Sequence, residues 1–218
     1  MTWGWGRRRE PLLRAELADD SGLVAIGGDL RPERLLDAYR HGVFPWYNEG
    51  YPVCWWSPDP RAIFELDGLH ISRRLRRTLR SGRFQCTANH DFAGVIRGCA
   101  DRAEGTWIID EMITAYDGLN RLGVAHSVET WHGGMLAGGI YGVAIGGFFA
   151  GESMFSRVTD ASKAALAFLV ERLRERGFAL FDIQFLTDHT ARLGAIEIPR
   201  GAYMERLERA LAMKTTFA

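Results

Sequence analysis

Apolar positions recur along the chain at intervals of two or of three to four residues, and the two periods separate strands from helices. The clearest helix is "DASKAALAFLVERLRERG", from Asp160 to Gly177. Leu166, Leu169, Val170 and Leu173 fall on one stripe, Asp160 stands where a cap belongs, and Gly177 ends the run. "RPERLLDAYRHG" predicts a short helix with Pro32 in its first turn and Gly42 past its end. "ISRRLRRTLRSG" predicts a helix closed by Gly82, "DFAGVIRGCA" one capped by Asp91, and "DEMITAYDGLNRLG" a longer one. Strands are expected at "RAIFEL", "RFQCTA", "AHSVETWH", "GMLAGGIYGVAIG", "GFFAGESMF" and "FALFDIQF", with Gly146-Gly147 as a hairpin turn. Two short helices complete the chain. Residues 1–22 read as polar and irregular, and "RRRE" at Arg7–Glu10 as solvated.

Between Val43 and Arg61, four prolines punctuate a run dense in aromatics, "VFPWYNEGYPVCWWSPDPR". Proline removes a backbone donor and fixes φ, so this run is expected to hold neither a central strand nor a helix interior. Its end is the natural boundary between a small N-terminal domain, residues 1–61, and a larger one, residues 62–218. Antiparallel strands followed by a long helix and one more strand predict an α+β fold, a sheet layered with helices.

Composition narrows the class. At 218 residues the chain can bury one substantial core, or one core and a small annex. It is 47% hydrophobic and 25% charged with zero net charge, so any nucleic-acid contact must come from local clustering. The three cysteines and six histidines show no CxxC, HxH or HExxH spacing, and no metal site is expected. No apolar stretch approaches the roughly 18 residues of a membrane span, and the Arg-rich start lacks a signal-peptide core, which predicts a cytosolic protein. One local cluster stands out. Six arginines and no acid lie between Ile71 and Arg83, and Arg73, Arg76, Arg77 and Arg80 share the face opposite Ile71, Leu75 and Leu79. A solvated helix usually mixes signs, so an unmixed arginine face favours phosphate binding.

Three further features carry candidate chemistry. Glu152 interrupts the apolar strand "GFFAGESMFS", sharing by simple alternation one face with Phe148, Ala150 and Met154. A carboxylate there either faces water on an edge strand or pairs with a cation. In "FALFDIQF", Asp182 and Gln184 share the face of Phe178 and Leu180, while Ala179, Phe181, Ile183 and Phe185 point the other way. That face turns polar at the strand's end, where sheets open into ligand crevices; capping of nearby backbone is the plainer alternative. Trp46, Tyr47, Trp55, Trp56 and Trp107 sit in or beside expected loops, available for packing or for stacking a nucleobase. Ser153 and Ser156 lie in no G-x-S-x-G, and Gly133–Gly151 holds neither G-x-G-x-x-G nor a Walker motif.

Taken together, "GGDL", "GVFPWY", "WWSPDPRAIF", "LHISRRL", "EGTWI", "AYDGLNRLGVAHSVE", "GGIYGV", "GESMFS", "ASKAAL", "FDIQ" and "DHTARLGAIEIPR" resemble the leucyl/phenylalanyl-tRNA–protein transferases, from about Gly22 to Tyr203. The resemblance implies a GNAT-type acyltransferase domain behind a small N-terminal domain. It also implies transfer of leucine or phenylalanine, less well methionine, from aminoacyl-tRNA to proteins beginning with Lys or Arg, which marks them for N-end-rule degradation. Carried over, Asp182 and Gln184 match the catalytic pair and Glu152 the acidic residue of the substrate site. Trp46 and Trp107 would flank the terminal adenosine, and Met154, Leu166 and Ser156 would line the substrate pocket. Lys163 and the arginine face of Arg73, Arg76, Arg77 and Arg80 are inferred to meet tRNA phosphates. Ile183 stands where the family often has cysteine, and Asn120 where histidine is usual.

The implied reaction uses an activated ester, so no cofactor is expected, and a monomer is expected to suffice. An α-amine with a pKa near about 8 must lose a proton to attack, and Asp182 would orient it or take that proton, with Gln184 positioning. Glu152 would pair with an ammonium, of donor or acceptor. Two rivals are an acetyl-CoA-dependent N-acetyltransferase and a non-catalytic RNA-binding module. The pyrophosphate motif Q/R-x-x-G-x-G/A finds no match, "RAEGTW" failing at Trp107.

Overall fold

The computed structural model describes residues 12–102 and 105–218; Arg7–Glu10 lies outside them. Seven strands form one mixed sheet: β4 (Arg61–Phe64), β5 (Gln85–Ala88), β6 (Ala125–His132), β7 (Met135–Ile145), β8 (Phe148–Ser156), β9 (Leu180–Gln184) and β10 (Ile196–Ile198). Their spatial order is β10-β4-β9-β8-β7-β6-β5. Every neighbouring pair is antiparallel except β8 and β9, which run parallel because the helix α5 (Ala161–Glu175) crosses between them. The fold is α+β, as the pattern predicts.

Each face of the sheet has its own core. α5 buries Leu166, Leu169, Val170 and Leu173 on one side, with Val128, Ile140, Phe149, Phe181 and the C-terminal Phe217. The other side is covered by α3 (Phe92–Ala100), α4 (Asp110–Arg121), α7 (Arg200–Leu211) and α1 (Pro32–Arg40). That second core runs without a break from Leu35, Tyr39 and Trp55 to Tyr116, Tyr141 and Tyr203. The residues before Arg61 therefore share their apolar interior with the sheet. Close approach explains part of the glycine-rich hairpin. A Cβ on Gly142 would lie 2.2 Å from the Ala150 carbonyl oxygen and 2.6 Å from the Phe149 ring.

Several local expectations fail for identifiable reasons. The proline-rich run does contain strands: β2 (Phe44–Pro45) and β3 (Cys54–Trp56) join β1 (Leu23–Ile26), an unanticipated strand, in a three-stranded sheet with β3 central. Its prolines lie on the edge strand or outside the strands, where a missing donor costs nothing. Leu13 and Ala15, from the supposedly irregular start, are buried. Asp160 occupies the N-cap of α5 with φ 73° but makes no side-chain cap; its carboxylate takes Lys163 Nζ at 2.9 Å instead. The chain does not end on two short helices alone: β10 separates α6 (Asp188–Arg192) from the three-turn α7. By contrast, Ser72 caps α2 (Arg73–Arg80) and Asp91 caps α3 through their side chains.

Candidate active site

Parallel pairing of β8 with β9 lasts only from Phe148–Ala150 to Leu180–Asp182. Beyond it the strands separate, and Glu152 stands at the point of separation. On the other edge of β8, Gly142 pairs with Gly151 while Tyr141 pairs with Ser153, so Glu152 is the extra residue of a β-bulge. The bulge reverses the alternation. Phe148 and Ala150 face one core, but beyond it Met154 packs against the other and Phe155 against the first. Simple alternation, which put Glu152 on a face with Met154, misses this shift.

The bulge aims the Glu152 carboxylate at two buried tyrosines. Tyr39 of α1 reaches Oε1 at 2.8 Å and Tyr116 of α4 reaches Oε2 at 3.0 Å, and the two phenolic oxygens also lie close together, so their two hydroxyl protons serve two of these three contacts at a time. Gln184 Nε2 donates to Oε1 at 3.2 Å. No cation is among these donors. Burial therefore pushes Glu152 up to about 7, against the pull of the tyrosines, with Asp182 adding repulsion and Arg61 opposing it. Burial, reinforced by Glu152, holds both tyrosines far above their ordinary range, so they remain donors.

Asp182 is held differently. It is completely buried, and Arg61 grips it with both arms, Nε to Oδ1 at 2.9 Å and Nη2 to Oδ2 at 2.7 Å. Tyr203 donates to Oδ2 at 3.0 Å, and the Gln184 backbone N–H to Oδ1 at 3.0 Å. Four donors fill the carboxylate, and the guanidinium cancels its charge. The last of these bonds fixes Gln184, whose φ of 61° ends β9 in a left-handed conformation, so its amide turns toward Glu152.

In front of Glu152 opens a cavity of about 400 Å³ between the diverging strands. Its walls are apolar at Phe64, Ile140, Met154, Leu166, Phe181 and Ile183, and polar at Ser153, Ser156, Thr187 and His189, with a cation, Arg102, bonded to Ser153 Oγ at 2.9 Å. Such a cavity suits an apolar group joined to a polar one.

Residues 63–208 match the family model described as leucyl/phenylalanyl-tRNA protein transferase, and residues 28–59 match that of its N-terminal domain. A leucyl/phenylalanyl-tRNA–protein transferase from Stutzerimonas stutzeri is 56% identical over 200 residues, covering 90% of this chain and 88% of its own. Another from Alkalilimnicola ehrlichii is 53% identical over 211 residues, covering 94% and 82%. The chain belongs to the leucyl/phenylalanyl-tRNA–protein transferase family. Solved structures give slighter likenesses, such as a GCN5-related N-acetyltransferase from Kribbella flavida at 14% identity, covering 76% of this chain and 60% of that one, with a TM-score of 0.40.

Within this family member, the residues expected to act together are distributed as follows. Glu152, Met154, Ser156, Leu166 and Trp107 line the one cavity, and Gln184 reaches it through its bond to Glu152. Asp182 lies behind it, away from solvent. Trp46, 42% exposed, borders the cavity through Phe185, with ring centroids 5.5 Å apart. Trp55 is core, its Nε1 donating to the Gly27 carbonyl, and Trp56 donates to the Trp46 carbonyl. Tyr47 is buried and bonds Glu111. Arg73, Arg76, Arg77 and Arg80 line an open groove along α2, whereas Lys163 lines a separate cavity.

Sequence reasoning overlooked Arg61, Tyr203, Tyr39 and Tyr116. Arg61 had a readable signal: like Glu152, it is a lone charge in a strand of largely buried residues, here "RAIF". Asp182 and Arg61 are a complementary pair of such charges. The tyrosines sit on helix faces that periodicity marks only as buried.

Proposed function

We propose that the protein transfers leucine or phenylalanine, and less well methionine, from charged tRNA to the α-amine of proteins that begin with Lys or Arg. The product would carry an N-end-rule degradation signal, and the enzyme would act as a monomer in the cytosol. The observation that carries this reading is the cavity itself: an apolar wall ending on one carboxylate that, among the described residues, takes no hydrogen bond from a cation. Met154, Leu166 and Ile140 can shelter an unbranched or γ-branched side chain, Met adapting its shape to either. Trp107 lines this cavity and Trp46 packs on Phe185 at its edge, and both rings suit the faces of a nucleobase. Among the described residues no helix is long and apolar enough to cross a membrane.

The chemistry follows from the difference between the carboxylates. Asp182, filled by four donors, serves as a positioning residue: it holds Gln184, and through Gln184 the orientation of Glu152. Glu152, raised to about 7, lies close to an α-amine's own pKa of roughly 8. It can pair with the incoming ammonium and accept its proton as the amine attacks the ester, matching acid to base near neutral pH. Gln184, an amide, donates and orients but takes no proton. The ammonium gives one proton to Glu152, which passes it to solvent; the C–N bond then forms as the ester C–O bond breaks, and the second amine proton ends on the leaving ribose hydroxyl.

The test is transfer of labelled phenylalanine from charged tRNA to short peptides that differ only at residue one. Peptides starting with Arg or Lys are expected to be modified, and those starting with Ala or Glu to be modified at least about 100-fold less, the discrimination a buried charge can supply. Indifference to the first residue would sink the acceptor reading. Stabilisation by acetyl-CoA but not by an aminoacyl-adenosine analogue would replace the reaction class altogether.

A further inference from the structure

His189 lines the substrate cavity and also a second cavity of about 390 Å³ on its other side. Into this second space point His70, Arg74, Lys163, His189 and Arg192, around a single acid, Asp160. Asp160 is nine-tenths buried, holds Lys163 Nζ at 2.9 Å and lies 3.9 Å from Arg74 Nη2. Three fixed cations against one acid leave an excess of two positive charges before either histidine is counted. Burial, then the charges of Lys163 and Arg192, hold His189 below its ordinary range, so its neutral ring can donate one hydrogen bond.

This place differs from the arginine face of α2. Arg73, Arg76, Arg77 and Arg80 line an open groove on the outside of that helix, while Arg74, itself exposed, lines the rim of the second cavity. The cavity is also one step from the substrate. α5 supplies Ser162 and Leu166 to the substrate side and Lys163 to this one. α6 and its N-cap Thr187 likewise supply Thr187 and Thr190 to the first and Arg192 to the second. A ligand passing from one cavity to the other need only cross His189.

We propose that this second cavity binds a backbone phosphodiester of the donor RNA within a nucleotide or two of its aminoacylated end, while the outer groove of α2 meets phosphates farther along. The proposal rests on the transfer reading above. An excess of fixed positive charge with N–H donors on several sides suits an anion of this kind, and Asp160 sets the places of Lys163 and Arg74.

Three donors with the same aminoacyl group separate the two surfaces: an aminoacyl-adenosine, an aminoacylated trinucleotide ending in that adenosine, and the full-length tRNA. For the wild type, kcat/KM is expected to favour the trinucleotide over the adenosine by about tenfold, the scale of one or two neutralised phosphates. An Arg74→Ala/Arg192→Ala double variant, changed only at exposed positions, should bring that ratio close to one. An Arg76→Glu/Arg77→Glu variant should keep the ratio and lose only the further advantage of full-length tRNA. Retention of the trinucleotide preference by the Arg74/Arg192 variant, or its absence in the wild type, would overturn the proposal. Pyrophosphate that stabilises the wild type but not that variant, with the trinucleotide preference unchanged, would assign the cavity to a free anion and overturn it too. Wild-type enzyme that transfers from none of the donors would instead overturn the transfer reading, and this proposal with it.

Discussion

Asp182 and Glu152 stand on neighbouring parallel strands, carry the same charge and are linked through one residue, Gln184. Their surroundings make them opposites. Asp182 has a bidentate guanidinium, a tyrosine and a backbone N–H, and has nothing left to offer a substrate. Among the described residues Glu152 has only neutral donors; it faces an open cavity and is pushed up to about 7 by burial. A buried carboxylate that has its own cation is scaffolding; one that lacks it is ready for a cation from elsewhere.

If this contrast holds, the two sites should fail in different ways. The largest effect is expected at the filled site. Asp182→Asn leaves the Arg61 charge buried without its counter-charge and should cost about 3–5 kcal/mol, measured by urea unfolding. Little loss of stability would mean that water reaches Arg61 and that the pair is not the scaffold described.

Titration of Glu152 should have a smaller and opposite effect. Its folded pKa, about 7, exceeds the unfolded value near 4.5, so the folded state binds the extra proton between them. Stability from this group is therefore complete below about pH 4.5 and falls as pH rises to about 7. Glu152→Gln removes that dependence. Its Tm relative to wild type should climb between pH 5 and pH 8 by about 5–10 °C, equivalent to roughly 2.5 kcal/mol for a chain of this size. A Tm difference that is flat with pH would place Glu152 in the ordinary carboxylate range. Tyr39→Phe removes a bond to the ionised form, and should shift the midpoint of that change upward by about half a pH unit.

How much of this was legible in the sequence depended on whether a neighbour in the chain or in space set the outcome. The α5 stripe, the Asp91 cap and the Gly146-Gly147 turn are local, and periodicity with cap chemistry located them. Glu152 and the Asp182–Gln184 pair were visible as polar interruptions of apolar strands. Their division of labour was not, because it depends on Arg61, Tyr203, Tyr39 and Tyr116, at separations of up to 121 residues. The bulge was hidden for a related reason: only the register against β7 shows that Glu152 is the extra residue. The proline rule failed at β3 because it was applied to a whole segment. The three residues that form the strand contain no proline.

The central claim is that the open carboxylate carries the reaction while the filled one carries the framework. The most direct test is single-turnover transfer of phenylalanine from charged tRNA to an Arg-initiated peptide by Glu152→Gln, with circular dichroism confirming the fold. Loss of at least about 100-fold in rate is expected from a folded variant, the scale of a removed general base and charge partner. A wild-type rate from that folded variant would contradict the claim.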